Sequence, residues 1–116
     1  MNNAAEVLRR ELMSEDGFLL KLRTDLSWDR AALTRLDQAM RAVCEEYEAA
    51  DQLDRDLAEG FHVLATSVPE WTSHPNFSRP EPESYYTACL ERLSLLAYWF
   101  FTGGSPYIEG HVWPDL

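Results

Sequence analysis

The side chains best equipped for chemistry in this chain are its carboxylates, and they are concentrated in one stretch. Between residues 45 and 59 stand Glu45, Glu46, Glu48, Asp51, Asp54, Asp56 and Glu59 against one arginine, Arg55, so seven negative charges and one positive leave −6 in fifteen residues. Such a run could hold a cation, move protons or set a surface potential. A calcium loop requires a central glycine and fixed ligand spacing, and the run from Asp51 to Glu59 has neither. A general acid requires burial or a close like charge to shift its pKa. These carboxylates fall on faces turned away from the apolar residues, so ordinary acidities are expected of them.

The other reactive side chains are sparse. His62, His74 and His111 include no pair four residues apart, and neither Cys44 nor Cys89 has a second thiol nearby, so no zinc spacing is present. No glycine-rich loop precedes a helix, and Gly103 and Gly104 fall at a helix end where the backbone dipole is negative. No nucleophile-elbow pattern occurs. The sequence therefore assigns no catalytic residue, no metal ligand and no cofactor, and an enzyme would need a site of unrecognised type.

What remains is a charged surface. Like charges three or four apart destabilise a helix by a few tenths of a kcal/mol each. A cluster that costs stability is a candidate binding surface, and on a nearly straight helix Glu45, Glu48, Asp56 and Glu59 would share about a quarter-turn. With Asp51, they form the expected partner-binding set. Aromatic residues near the C-terminus supply the expected short-range anchors. Tyr98, Trp99, Phe101, Tyr107 and Trp113 cannot all belong to one core stripe, and Trp99 and Tyr107 are assigned to the interface.

The whole-chain numbers agree. Twenty acidic and ten basic residues give a net charge of −10 over 116 residues. That charge repels phosphate backbones and anionic membranes, and it suits a basic protein partner. Apolar residues make up 46% and charged residues 26%, ordinary for one folded domain spanning 1–116. The absence of an apolar leader or a membrane-length run sets the expectation of a cytoplasmic protein. Cys44 and Cys89, each inside an apolar pattern, are expected to be buried free thiols.

The elements that must position these residues are helical. Val7, Leu8, Leu12, Phe18, Leu19 and Leu22 predict a helix over 4–23 with a break near Ser14 to Gly17. Ser27 is the expected cap of a second helix over 28–48, begun by Trp28 and lined by Leu33, Leu36, Met40, Val43 and Tyr47. The stripe then slips, because its continuation would bury Asp54. A break near 49–51 is expected, with Asp51 capping a third helix that runs to about residue 67, where Pro69 ends it. Pro69 to Pro82 reads as a long proline-rich loop. A last helix starts at Glu83 or Ser84 and stops at Gly103. Its wide apolar arc predicts a central helix covered on several sides. Ser105 to Leu116 reads as an aromatic tail folded back on the body. The fold class is all-α: an antiparallel bundle of about four helices.

A short acidic helical bundle ending in Tyr-Trp-Phe-Phe-Thr-Gly-Gly-Ser-Pro-Tyr at 98–107 resembles the small immunity proteins that neutralise bacterial toxins. That resemblance implies an inhibitor covering a basic active site, such as that of a nuclease, with carboxylates in place of substrate phosphates. The other readings from the sequence are an adaptor bundle acting through self-association as a homodimer, and an enzyme.

Overall fold

The computed structural model describes residues 4–106 and 113–116. It is an all-α bundle, with no strand among the described residues: α1 (Ala4–Met13), α2 (Phe18–Asp25), α3 (Arg30–Tyr47), α4 (Arg55–Thr72) and α5 (Glu83–Thr102). The break expected in the first helix separates α1 from α2. At Gly17 a Cβ would stand 2.6 Å from the Glu11 carbonyl oxygen, so only glycine lets the chain turn this tightly against α1. Glu11 is a buried acid. Its carboxylate accepts from the Phe18 amide at 3.3 Å and from Arg35 Nε at 2.8 Å. It thereby supplies an acceptor at the start of α2 that Gly17 itself cannot offer.

Three expected helix boundaries are corrected. Asp29, not Ser27, caps α3, accepting from the Ala32 amide at 3.0 Å. The carboxylate outcompetes the hydroxyl because Lys21 Nζ also reaches it, at 2.6 Å, and this hydrogen bond holds Asp29 below the usual carboxylate range. Trp28 consequently sits just before α3, buried but not helical. Asp51 does not cap α4; it lies exposed in a bend, and Asp54 is the N-cap residue. Asp54 makes no side-chain bond to the backbone, because its carboxylate is engaged by Arg9 and by the Tyr47 hydroxyl.

Pro69 does not end α4, which continues to Thr72. A proline costs most in a helix interior, where it removes a backbone bond and crowds the preceding turn. Here it stands three residues before the end of the helix and removes the one bond its N–H would have made to the Ala65 carbonyl. The Thr72 hydroxyl donates to the Val68 and Pro69 carbonyls, both at 3.1 Å, and the Ser73 amide donates to the Pro69 and Glu70 carbonyls. The segment joining α4 to α5 is therefore shorter than the sequence suggests, and it packs Phe77 into the core.

Side-chain contacts fix the sense of the helices. Trp28 meets Tyr85, Asp37 meets Arg92, Cys44 meets Leu96 and Glu48 meets Trp99, so α3 and α5 run the same way. Arg9 meets Asp56 and Leu12 covers Gly60, so α1 and α4 also share a sense. Phe61 on α4 stacks on Phe100, while Phe77 beyond the end of α4 packs on Tyr86 at the start of α5, so these two helices are antiparallel. The core stripe of α3 is the expected one, with Leu33, Leu36, Met40 and Val43 all buried; Leu57, Phe61, Leu64 and Val68 form the buried face of α4.

The last helix is not central. α5 packs on α3 and α4, makes no helix contact with α1 or α2, and leaves Tyr98 and Phe101 exposed. Gly103 ends it in the left-handed region, φ 76°, with its amide donating to the Trp99 carbonyl at 2.8 Å. Residues 107–112, including Tyr107 and His111, lie outside the described residues. Beyond them Trp113 stacks on Trp99 at 6.1 Å, and Arg92 donates to the Pro114 carbonyl at 2.8 Å. No helix is long and apolar enough to cross a membrane.

Both cysteines are free and buried. Burial pushes the Cys44 thiol up to about 12 and the Cys89 thiol up to about 11. Since the thiolate is the reacting species, neither should be labelled by a bulky disulfide reagent in the native protein, and both should be labelled once it unfolds in urea. Complete labelling within seconds under native conditions would contradict this burial.

Candidate functional site

The acidic stretch spans the end of α3, the turn after it and the start of α4. The structure divides its seven carboxylates into two groups. Three have internal work. Glu48 Oε2 accepts from Trp99 Nε1 at 3.0 Å, tying α3 to α5. Asp54 and Asp56 both hold Arg9, at 2.9 and 2.6 Å, tying α4 to α1. The Arg9 hydrogen bond keeps the Asp56 carboxyl below the usual range. The other four, Glu45, Glu46, Asp51 and Glu59, are exposed and make no ion pair among the described residues. Arg55 pairs with neither Asp51 nor Glu59, so it leaves their charge unneutralised at short range.

The expected anchor Trp99 is 4% exposed, its indole spent on Glu48 and on stacking against Trp113. Tyr107 lies outside the described residues. The aromatic surface belongs instead to the neighbours of Trp99: Tyr98 is 57% exposed and Phe101 47%. Both ride on the last turns of α5, beside Phe100, which stacks on Phe61 at 4.1 Å and packs on Tyr47 at 5.7 Å. They are therefore mounted on a rigid part of the core. The same end of the bundle carries the acidic residues, because Glu48 bonds to Trp99 and a Cβ on Gly103 would stand 2.9 Å from the Glu48 carbonyl.

Two helix C-termini meet there. Neither α3 nor α5 has a basic residue in its last turn. Their carbonyl ends, each equivalent to roughly half a negative charge, add to the free carboxylates. Chemically this end offers negative potential beside exposed aromatic surface.

A second feature was not legible in the sequence. A cavity of about 390 Å³ opens between α1, α2 and α4. Its apolar wall includes Leu12, Met13, Leu19, Val63 and Trp71, and its charged lining is Arg9, Arg23, Asp56 and Glu59. Gly60 forms part of the same lining, and a Cβ there would stand 2.5 Å from Leu12 Cδ1. The sequence signal for it was slight: a glycine inside a helix, consistent with close packing. Trp71 had been placed in a loop by the expected stop at Pro69, which hid the stripe it completes on α4.

Among the described residues no group of three His, Cys, Asp or Glu side chains stands close enough to hold a metal ion. His62 and His74 are exposed, and His74 Nδ1 accepts from the Asn76 amide at 3.0 Å. No protein-family model matches this chain, and no curated protein or solved structure is significantly similar to it.

Proposed function

We propose that this protein is a protein-binding inhibitor whose acidic end covers a basic surface of its partner, in the manner of an immunity protein facing a toxin that acts on nucleic acid. The observation that carries the reading is that Tyr98 and Phe101 are exposed on the last turns of α5, at the same end of the bundle as Glu45, Glu46 and Asp51, which lie exposed and without an ion pair among the described residues on the last turn of α3 and in the turn after it. Exposed charges speed encounter and select the partner; exposed aromatics supply the affinity that charges at a rim rarely give. The carboxylates stand in for the phosphates of a nucleic-acid substrate, and no chemical step is required of the inhibitor.

Self-association through this end is disfavoured by its charge. A two-fold interface sets each patch against its own copy, so carboxylates and helix C-termini would meet like charges. A basic partner removes that cost.

The partner is to be isolated by pull-down from the native host and its affinity measured. Replacing Tyr98 and Phe101 together with alanine should weaken binding by roughly tenfold or more, as for truncated hot-spot aromatics. Both side chains are half-exposed, so the thermal unfolding midpoint should change little. An unchanged affinity would remove this pair from the interface.

A further inference from the structure

We infer that Trp113 is a positioning residue of the acidic surface, and that docking of the segment 113–116 sets how long the basic partner stays bound. This rests on the reading of the protein as a partner-binding inhibitor and names a control of that same surface.

The segment 113–116 is held on α3 and α5 by specific contacts. Arg92, itself 5% exposed, donates to the Pro114 carbonyl at 2.8 Å, and the Thr34 hydroxyl donates to the Leu116 carbonyl at 3.4 Å. The guanidinium groups of Arg41 and Arg92 stand 5.1 and 5.0 Å from the centroid of the Trp113 ring, within reach of its π-face. Trp113 and Leu116 are half-buried and pack against the core. Trp113 also stacks on Trp99, with centroids 6.1 Å apart and ring planes 11° apart.

Trp99 is where this segment meets the acidic surface. Its Nε1 donates to Glu48 Oε2 at 3.0 Å, and its carbonyl accepts from the Gly103 amide at 2.8 Å. Glu48 is the C-cap residue of α3, and its own carbonyl approaches Gly103 so closely that a Cβ there would stand 2.9 Å away. One residue therefore fastens the end of α3 to the end of α5. Tyr98 and Phe101 ride on the turns of α5 that contain Trp99. Glu45, Glu46 and Asp51 are carried by the chain before and after Glu48. Both halves of the surface hang on the same indole.

A hydrogen bond shielded from water is stronger than one that water can contest. Trp99 is shielded in part by the Trp113 ring stacked on it. Losing that ring wets the bond to Glu48 and loosens the two helix ends. Binding must then order them, and that cost shortens the life of the complex. Glu45, Glu46 and Asp51 keep their charge throughout, so the electrostatic steering that governs encounter is unchanged. An effect on dissociation with none on association separates positioning from charge.

The test compares the whole protein with Trp113→Ala and Trp113→Phe. Amide hydrogen exchange is followed first, without the partner. In Trp113→Ala the amides of residues 99–103 should exchange roughly tenfold or more faster, while those of α1 and α4 keep the parent's rates. Trp113→Phe keeps a ring to stack and should restore part of the protection. Should the alanine variant unfold, the phenylalanine variant carries the same comparison with a smaller shift. With the partner isolated by pull-down, Trp113→Ala should dissociate roughly tenfold or more faster, at an association rate within about twofold of the parent's. Parent-like exchange at 99–103, acceleration spread evenly over all the helices, or an unchanged dissociation rate would each overturn the inference. The Tyr98→Ala, Phe101→Ala double variant keeps the two failures apart. If that pair weakens binding and Trp113→Ala does not, the role of Trp113 alone is lost; if the pair has no effect, the reading of the surface is lost.

Discussion

Replacing Asp37 with alanine is expected to destabilise the protein by about 3–5 kcal/mol, because it strands a buried charge. Arg92 Nη1 donates to both Asp37 oxygens at 3.0 Å, and both side chains are 6% exposed. Arg41 reaches the same carboxylate at 3.3 Å. The two guanidinium groups also bracket Trp113, at 5.1 and 5.0 Å from its ring centroid. Asp37 is thus the shared counter-charge of two arginines that hold the end of the chain against α3 and α5. Arg41 Nε is already buried without a hydrogen-bond partner, so little spare compensation exists nearby. Urea unfolding measures the loss. Replacing Asp37 with leucine and Arg92 with methionine together should cost less than Asp37→Ala, since the fully buried Arg92 charge goes with its partner and only the partly exposed Arg41 loses its carboxylate. A single-mutant loss under 1 kcal/mol would mean that water reaches Arg92 and screens it.

Trp28→Ala is expected to cost about 3–5 kcal/mol, the range for truncating a large buried aromatic. Trp28 is 8% exposed, and its Nε1 donates to the Tyr85 hydroxyl at 3.0 Å. Its ring meets Phe18, Phe77, Tyr85 and Tyr86 edge-on, with centroids between 5.0 and 6.2 Å. These neighbours come from α2, the segment after α4 and the start of α5, so the cavity left by alanine has walls fixed in three elements that cannot all move inward. Equilibrium unfolding reads the effect. Trp28→Phe should recover part of it, since the ring packing survives while the bond to Tyr85 is lost. A shift under 1 kcal/mol for Trp28→Ala would show that the cluster closes around the gap.

Trp28 also shows how far the sequence could be read. Its apolar neighbours at helical spacing marked it as core, and that reading depends only on periodicity. Its place outside the helix depended on which of the two polar residues flanking it, Ser27 or Asp29, capped α3. That was decided by Lys21, eight residues away, which no local rule weighs. Pro69 is the same kind of case: helix termination at a proline is a local tendency, and α4 runs through it to Thr72. Asp37 and Arg92 were illegible for a stronger reason. Each lies on a helix where a polar residue ordinarily marks the solvent face, and only their meeting across α3 and α5 makes burial affordable.

The surface was legible in outline. Charge density picked out the stretch from Glu45 to Glu59. It could not tell the carboxylates that brace Arg9 and Trp99 from those left free, because that depends on long-range contacts. Likewise Tyr98, Trp99, Phe100 and Phe101 are four aromatics in a row, and one hundred degrees of rotation per residue separates those facing the core from those facing solvent. The structure exposes Tyr98 and Phe101 and buries the pair between them.

The most direct test of the acidic end as a binding surface is the association rate of the isolated partner with a variant carrying Glu45→Lys, Glu46→Lys and Asp51→Lys, compared with the parent at low and physiological salt. These three carboxylates make no internal bond among the described residues, so the fold should survive their reversal, which circular dichroism checks. Electrostatic steering predicts a parent rate that falls steeply as salt rises, and a variant rate that is roughly tenfold or more lower at low salt with little further salt dependence. Equal rates for the two proteins, with equal dependence on salt, would show that the carboxylates are a solvated face and that the partner approaches elsewhere.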